Sequence, residues 1–419
     1  GSMIQQIRKL RKPVVLNWLA LPVFAFVIFA LANCSAGDSN TRLAPEDLNA
    51  TRVDLQAALN AWREDERITG ATMSVYSAAT GQLDLASGLA KRSIDPDRFP
   101  DDPITANKPM FIGDLTHVLV AATVIQLAQE QQLSLNTAIG SIDSWFPDIE
   151  NSQQITIRNL LEHTSGIPIF YTEEFLDELY EQQPNTPQLP DDVIAVAAAK
   201  GSFFPPVTQY GYSKTNFLIL GRIIELTTGN SLESEIRTRF LDPLEMNDTY
   251  LAGRESIPGG TPLGYEFSGP YSDAPTVVDG HVPQVPEVSI ISTEWASGAL
   301  VSTPADIIKL IQALFESDDF ATVRKEMLTV AEYPAQESDS TRIDSGAGVF
   351  TWTDHGETVV GQFGFIYPFS AQFVYWQDSG TVIAVIANEV DSSRNPNSNF
   401  QLPVIENLTN EVKAILDRE

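Results

Sequence analysis

Apolar residues recur along the chain at two periods, and the changes between them mark out its elements. Leu48, Val53, Leu55, Leu59 and Trp62 fall near the 3.6-residue period of a helix. Residues 71–78 and 83–89 alternate on either side of Thr80-Gly81, the signature of a hairpin. Residues 118–133 are too continuously apolar at their start for a surface helix and predict a long buried one. Further helices are expected over 216–227, 232–240, 306–315 and 403–417. Residues 371–376 and 382–388 are β-rich and flank Asp378-Ser379-Gly380, a second hairpin. The stretch 254–292, dense in Gly and Pro, reads as loop. Strands towards both ends with helices between them predict one α/β (α+β) unit carrying an all-helical insertion.

The first residues follow a different pattern. Gly1-Ser2-Met3 reads as a leftover pair ahead of a native start. Arg8, Lys9, Arg11 and Lys12 then precede an apolar run over 14–32, broken only by Asn17 and Pro22. Roughly 20 residues are needed to span a bilayer core, and basic residues on the N-terminal flank keep that end in the cytoplasm. The rest of the chain is therefore expected outside, periplasmic or at the cell surface. The run is retained as an anchor, cut after Ala30-Leu31-Ala32, or ended as a lipoprotein at Cys34. Residues 1–34 thus form a signal or anchor, 35–45 a small polar linker, and 46–419 the folded domain. Its sheet is expected from about 70–95 and 345–390, and its helical part over about 110–250.

Composition removes several function classes. Against 26 Lys+Arg stand 55 Asp+Glu, a net charge of −29, which repels phosphate backbones and argues against nucleic acid. A lone cysteine, Cys34, permits no disulfide within the chain, and four histidines without zinc spacing give no metal site. No Walker loop or Gly-rich finger marks a nucleotide site, and no cofactor is expected.

Several segments carry a more specific signal. Met110-Phe-Ile-Gly-Asp-Leu-Thr-His117 opens a helix that ends Gln-Leu-Ala-Gln-Glu-Gln-Gln-Leu133. Ile155-Thr-Ile-Arg-Asn-Leu-Leu-Glu-His-Thr-Ser-Gly-Ile-Pro168 follows, then Phe204-Pro-Pro and Tyr210-Gly-Tyr-Ser-Lys-Thr-Asn-Phe217. Pro243-Leu-Glu-Met, Ser297-Gly-Ala-Leu-Val-Ser-Thr-Pro-Ala-Asp306 and Gly361-Gln-Phe-Gly-Phe365 complete the series. In this order, over roughly 45–417, the chain resembles the serine β-lactamase-related and penicillin-binding-protein-like hydrolases, a family that includes class C β-lactamases, D-aminopeptidases and esterases. The resemblance implies an antiparallel sheet flanked by helices with an all-helical subdomain, and a site built from Ser-x-x-Lys, Tyr-x-Asn and His/Lys-x-Gly.

The chemistry of that site needs its residue types. Serine is a weak nucleophile until a base takes its proton, a lysine three residues on shares its helical face, and two backbone N–H groups receive the oxyanion. Here the resemblance puts Asp114 at the serine position and His117 at the lysine. Tyr212 is kept, the asparagine is Lys214, and the third motif reads Gln362-Phe363-Gly364, with the oxyanion donor beside it at Phe365. Attack by an aspartate on an ester or amide would give a mixed anhydride, which stores energy instead of dividing the barrier.

Two readings follow. In one, the scaffold survives without acyl transfer. Asp114 caps the helix, pairs with Lys214, accepts from the Phe365 N–H and plugs the site, leaving a pseudoenzyme that binds an unknown ligand or protein. In the other, Asp114 and His117 act as an acid–base pair on water in a rebuilt hydrolase. The same two residues, at i and i+3, could share a metal but lack a third ligand. His163 reads as a structural hydrogen-bonder, and His281 and His355 as surface residues. Ser213 is a conceivable relocated nucleophile whose side chain should point away, and Ser165 lies near the cleft in the family fold. Gly37-Asp38-Ser39, an esterase-like triplet, lies in the linker. Phe363, Phe365, Tyr367 and Phe369 either pack or line an apolar groove.

Overall fold

The computed structural model describes residues 42–418 except 96, 270–278 and 394–400. The predicted signal or anchor, Cys34 and the Gly37-Asp38-Ser39 triplet lie outside the described residues.

Helix α1 (Pro45–Asp65) opens the domain, with Pro45 in its first turn and Leu55, Leu59 and Trp62 on its buried face. Strands β1 (Gly70–Ser77) and β2 (Gly81–Lys91) form the first predicted hairpin, with Gly81 at φ +65° in the turn. Short strands β3 (Asp102–Pro103) and β4 (Met110–Phe111) lead into α2 (Thr116–Gln129), whose middle is buried on every side. The helical part continues through α3 (Ile157–Leu161), α4 (Glu173–Asp177), α5 (Pro190–Ala198), α6 (Lys214–Thr228) and α7 (Leu232–Ile236). The helix expected over 232–240 is α only to Ile236 and widens to a π-turn over Arg237–Leu241.

The loop expected over 254–292 is not wholly loop. Short strands β5 (Tyr250–Leu251), β6 (Gly264–Phe267) and β7 (His281–Gln284) lie in or beside it, and α8 (Val288–Gly298) begins before its end. Strand β8 (Leu300–Ser302), α9 (Pro304–Glu316) and α10 (Ala321–Met327) follow. The chain then returns to sheet through β9 (Gln336–Glu337), β10 (Arg342–Ser345), β11 (Phe350–Asp354), β12 (Glu357–Ile366), β13 (Phe369–Trp376), β14 (Val382–Ala387) and β15 (Glu389–Asp391). Helix α11 (Ile405–Leu416) closes it.

Nine strands form one antiparallel sheet in the order β3-β2-β1-β14-β13-β12-β11-β10-β9, the antiparallel sheet flanked by helices that the resemblance implies. The join between its two halves is β1 against β14, where Met73 pairs with Val385 and Val75 with Ile383. Strands β13 and β14 are buried on both faces, which explains why β14 reads as an unbroken apolar run and why β13 does not alternate. On one face α1 and α11 pack through Leu59, Trp62, Leu408 and Val412 onto Met73, Val75 and Val385. On the other lies the larger core, which joins α2, α6 and α9 to the sheet. Among the described residues no helix is long and apolar enough to cross a membrane.

Candidate functional site

The turn ahead of α2 is forced by two glycines. Gly113 sits at φ +53°, and a Cβ there would lie 2.3 Å from the Phe365 nitrogen. On the facing strand β12, a Cβ at Gly364 would lie 1.9 Å from the Ile112 carbonyl oxygen and 2.9 Å from the Asp114 nitrogen. Both contacts are shorter than real side chains adopt, so glycine on each side is what lets the turn press against the sheet. Gly364 therefore keeps its place for packing.

That approach delivers Asp114 inward from a 3-10 turn over Gly113–Leu115. The expected helix cap is not made: α2 begins without a side-chain cap, and the Asp114 carboxylate turns to Lys214 instead. Lys214 Nζ lies 2.9 Å from Asp114 Oδ1, 2.8 Å from Glu294 Oε2 and 3.2 Å from the carbonyl oxygen of Phe365. The predicted Asp114–Lys214 pair is thus present, with a second carboxylate. What Phe365 is seen to give the cluster is its carbonyl, accepting from Lys214, where an N–H donated to Asp114 was expected. Lys214 is 1% exposed and Asp114 4%, so water does little to screen these charges.

Glu294, on α8, belongs to no segment from which the sequence suggested chemistry. Its Oε2 accepts from Lys214 and, at 3.3 Å, from Ser297 Oγ, while its Oε1 accepts from the Tyr171 hydroxyl. A single charged residue in the otherwise uncharged stretch 288–305 was the only signal for it.

Two carboxylates thus share one ammonium. Burial raises the Asp114 carboxyl to about 6, against the pull of Lys214 and with some push from Glu294. Burial would lower the Lys214 ammonium, but Asp114 and Glu294 outweigh it and hold it above the ordinary lysine range. Tyr212 places its hydroxyl beside Asp114, and burial next to that carboxylate pushes the phenol well above its ordinary value. Tyr171 is raised likewise, by burial and then by Glu294. Neither tyrosine is a base at neutral pH.

His117 does not join this cluster. Its ring stacks on Phe217, with centroids 3.8 Å apart and planes within 3°. Burial drives it well below the ordinary histidine range, and it stays neutral. The Asp114–His117 acid–base pair is therefore not assembled, and among the described residues no group of three metal-binding side chains occurs. Gln362 is turned away as well: its Nε2 donates to the Gly348 carbonyl at 3.1 Å, and its Oε1 accepts from the adjoining Phe363 N–H.

The surrounding residues hold the frame. His163 Nδ1 accepts from the Ser213 N–H at 3.2 Å and faces Asn216 Nδ2 at 3.1 Å, and burial lowers the ring to about 3. Ser165 donates to Asn216 Oδ1. Ser213 is 1% exposed, and its hydroxyl contacts no base. His355 is exposed as expected, but His281 is buried and paired with Glu389, because β7 places it against Phe267 and β15. Of the four aromatics after the third motif, Phe369 packs on Phe111, and Tyr367 donates its hydroxyl to Glu266. Phe365 packs with Val390, Leu402 and the partly buried Phe363. These aromatics are packing.

The sequence model of the family described as Beta-lactamase matches residues 55–403. The chain belongs to the β-lactamase family. Penicillin-binding protein 4 of Amycolatopsis lactamdurans is 30% identical over 209 residues, 48% of this chain and 50% of that protein. Penicillin-binding protein 4* of Bacillus subtilis is 25% identical over 250 residues, 59% of this chain and 53% of that one. The chain thus spans about half the length of the curated relatives it matches. Among solved structures, D-amino acid amidase from Ochrobactrum anthropi SV3 superposes with a TM-score of 0.72 at 22% identity, covering 89% of this chain and 100% of that one. The octameric penicillin-binding protein homologue from Pyrococcus abyssi gives 0.66 at 22%, covering 80% and 73%. These likenesses establish the β-lactamase/transpeptidase-like fold.

Proposed function

We propose that this chain is an exported, membrane-associated member of the β-lactamase family that does not carry out acyl transfer, a pseudoenzyme that keeps the scaffold to bind a ligand or protein. Export and tethering rest on the basic and apolar N-terminal segment over 8–34. Loss of acyl transfer rests on the geometry around residue 114, the position of the family's nucleophile.

The observation that carries the reading is the Lys214 ammonium bound at once by Asp114, Glu294 and the Phe365 carbonyl, at 2.9, 2.8 and 3.2 Å. Acyl transfer there needs a hydroxyl and an unprotonated base. Asp114 supplies no hydroxyl nucleophile, Lys214 is held charged, and Tyr212 is held as a phenol. An ion-paired bolt between α6, α8, the turn before α2 and strand β12 stands where the resemblance places the nucleophile. Groups that act as a unit in catalysis fail as a unit, and here the unit has been replaced while its frame remains.

The test is direct. Purified protein is incubated with a fluorescent penicillin, a chromogenic cephalosporin and short-chain p-nitrophenyl esters, and its intact mass is read. No adduct and no turnover above a heat-denatured control are expected. A stable acyl or β-lactam adduct on the native protein overturns the proposal, and turnover abolished by Asp114→Ala would establish a rebuilt hydrolase in its place.

A further inference from the structure

Glu294 lies outside every motif read from the sequence, yet it makes the shortest contact in the cluster. We infer that Glu294 is the positioning residue of the bolt: it fixes the Lys214 ammonium against Asp114 and the Phe365 carbonyl, from a helix bent at Trp295. This rests on the reading of the site as closed by Lys214.

Three observations converge. First, Glu294 is anchored independently of Lys214. The Tyr171 hydroxyl holds Oε1 and Ser297 Oγ shares Oε2, and the side chain folds so closely over Gly298 that a Cβ there would lie 2.3 Å from Oε2.

Second, the backbone that aims it is strained. Trp295 stands at φ 32°, ψ −112° inside α8, a conformation a bulky residue adopts only where its surroundings impose it. The surroundings are explicit. The Trp295 ring is 1% exposed and lies against Gly221 of α6, where a Cβ would come within 2.9 Å of it. The Arg254 guanidinium lies 5.6 Å from the ring centroid. Packing of α8 on α6 therefore bends the helix at the residue after Glu294, and Lys214 begins that same α6.

Third, Asp114 alone does not suffice. Asp114, raised to about 6 by burial, takes up a proton in mildly acidic solution and then brings no charge to the ammonium. Glu294, held by Tyr171 and Ser297, is the second carboxylate in contact with the ammonium.

The test follows the proton on Lys214 by NMR of protein labelled at lysine Cε, with the signal assigned by its loss in K214R. In the native protein Lys214 should keep its proton beyond the ordinary lysine range. In E294Q, which preserves shape and removes charge, the midpoint should fall by about one pH unit or more, a tenfold loss in proton affinity. Should E294Q not fold, E294D, which withdraws the carboxylate by one methylene, should give a smaller fall. A native Lys214 that titrates below the ordinary range, or a midpoint unmoved in whichever variant folds, overturns the assignment. The acyl-adduct assay on native protein is a separate readout: a closed, unreactive site with an unmoved Lys214 would sink the role of Glu294 alone.

Discussion

At the scale of single residues, the cluster is a problem of charge. A buried ammonium left without partners would be costly, and removing one member of a buried ion pair typically costs several kcal/mol. Lys214 meets two carboxylates, and at Asp114 burial, helped by the neighbouring Glu294, outweighs the pull of the ammonium. Its carboxyl is raised from 3.8 to about 6 in the folded protein. A raised folded value means that the stabilising contribution is fully present below the unfolded value and is lost as pH rises through the folded one. Native protein should therefore lose stability relative to D114N between about pH 4 and pH 6–7, by on the order of 3 kcal/mol. Parallel denaturant titrations check this, and curves for the two proteins that stay parallel across that window would refute it. His163 has the opposite sign. Its ring is lowered to about 3, so its contribution is present above the ordinary histidine value and fades on acidification.

At the scale of elements, two glycines and one strained residue decide where the charges meet. Gly113 and Gly364 allow the turn before α2 to touch β12, and Trp295 bends α8 towards α6. Of these, the Gly364 contact is the tightest, at 1.9 Å from a backbone oxygen to an added Cβ. Backbone cannot rotate away as a side chain can, so Gly364→Ala must push β12 from the turn. A loss of about 1–3 kcal/mol or more is expected, measured by chemical denaturation, together with a longer Lys214–Phe365 distance in a crystal structure of the variant. Unchanged stability would mean the two segments are not held together as described. The same scale explains what the sequence left obscure. Strand β6 is four residues long and pairs in parallel with β15, whose residues come more than a hundred positions later. Nothing local announces such a strand, so 254–292 reads as loop and His281 as a surface residue.

At the scale of the whole molecule, the charge of −29 bears on stability as well as on partners. Like charges spread over one compact surface repel, and salt screens them, with a Debye length of about 30 Å at 0.01 M and about 8 Å at 0.15 M. The melting temperature should therefore rise as sodium chloride is added over this range, as followed by differential scanning fluorimetry. A flat or falling melting temperature would show that surface repulsion is not a significant term. The buried bolt, out of reach of the ions, should contribute little to that slope.

The sequence by itself determined the large elements. Apolar periodicity over α1, α2, α6, α9 and α11 is a local property of helices, and the hairpins at Thr80-Gly81 and Asp378-Ser379-Gly380 are set by turn chemistry. The pairing of Asp114 with Lys214 was legible because the resemblance brought both positions to one site, and the structure joins them at 2.9 Å. Only the tertiary structure decided that Glu294 completes the pair, that His117 stacks on Phe217 away from Asp114, and that Gln362 turns to Gly348. Each of those outcomes depends on which segments, distant in sequence, are pressed together. Buried charge is governed by its three-dimensional neighbours and not by its place along the chain.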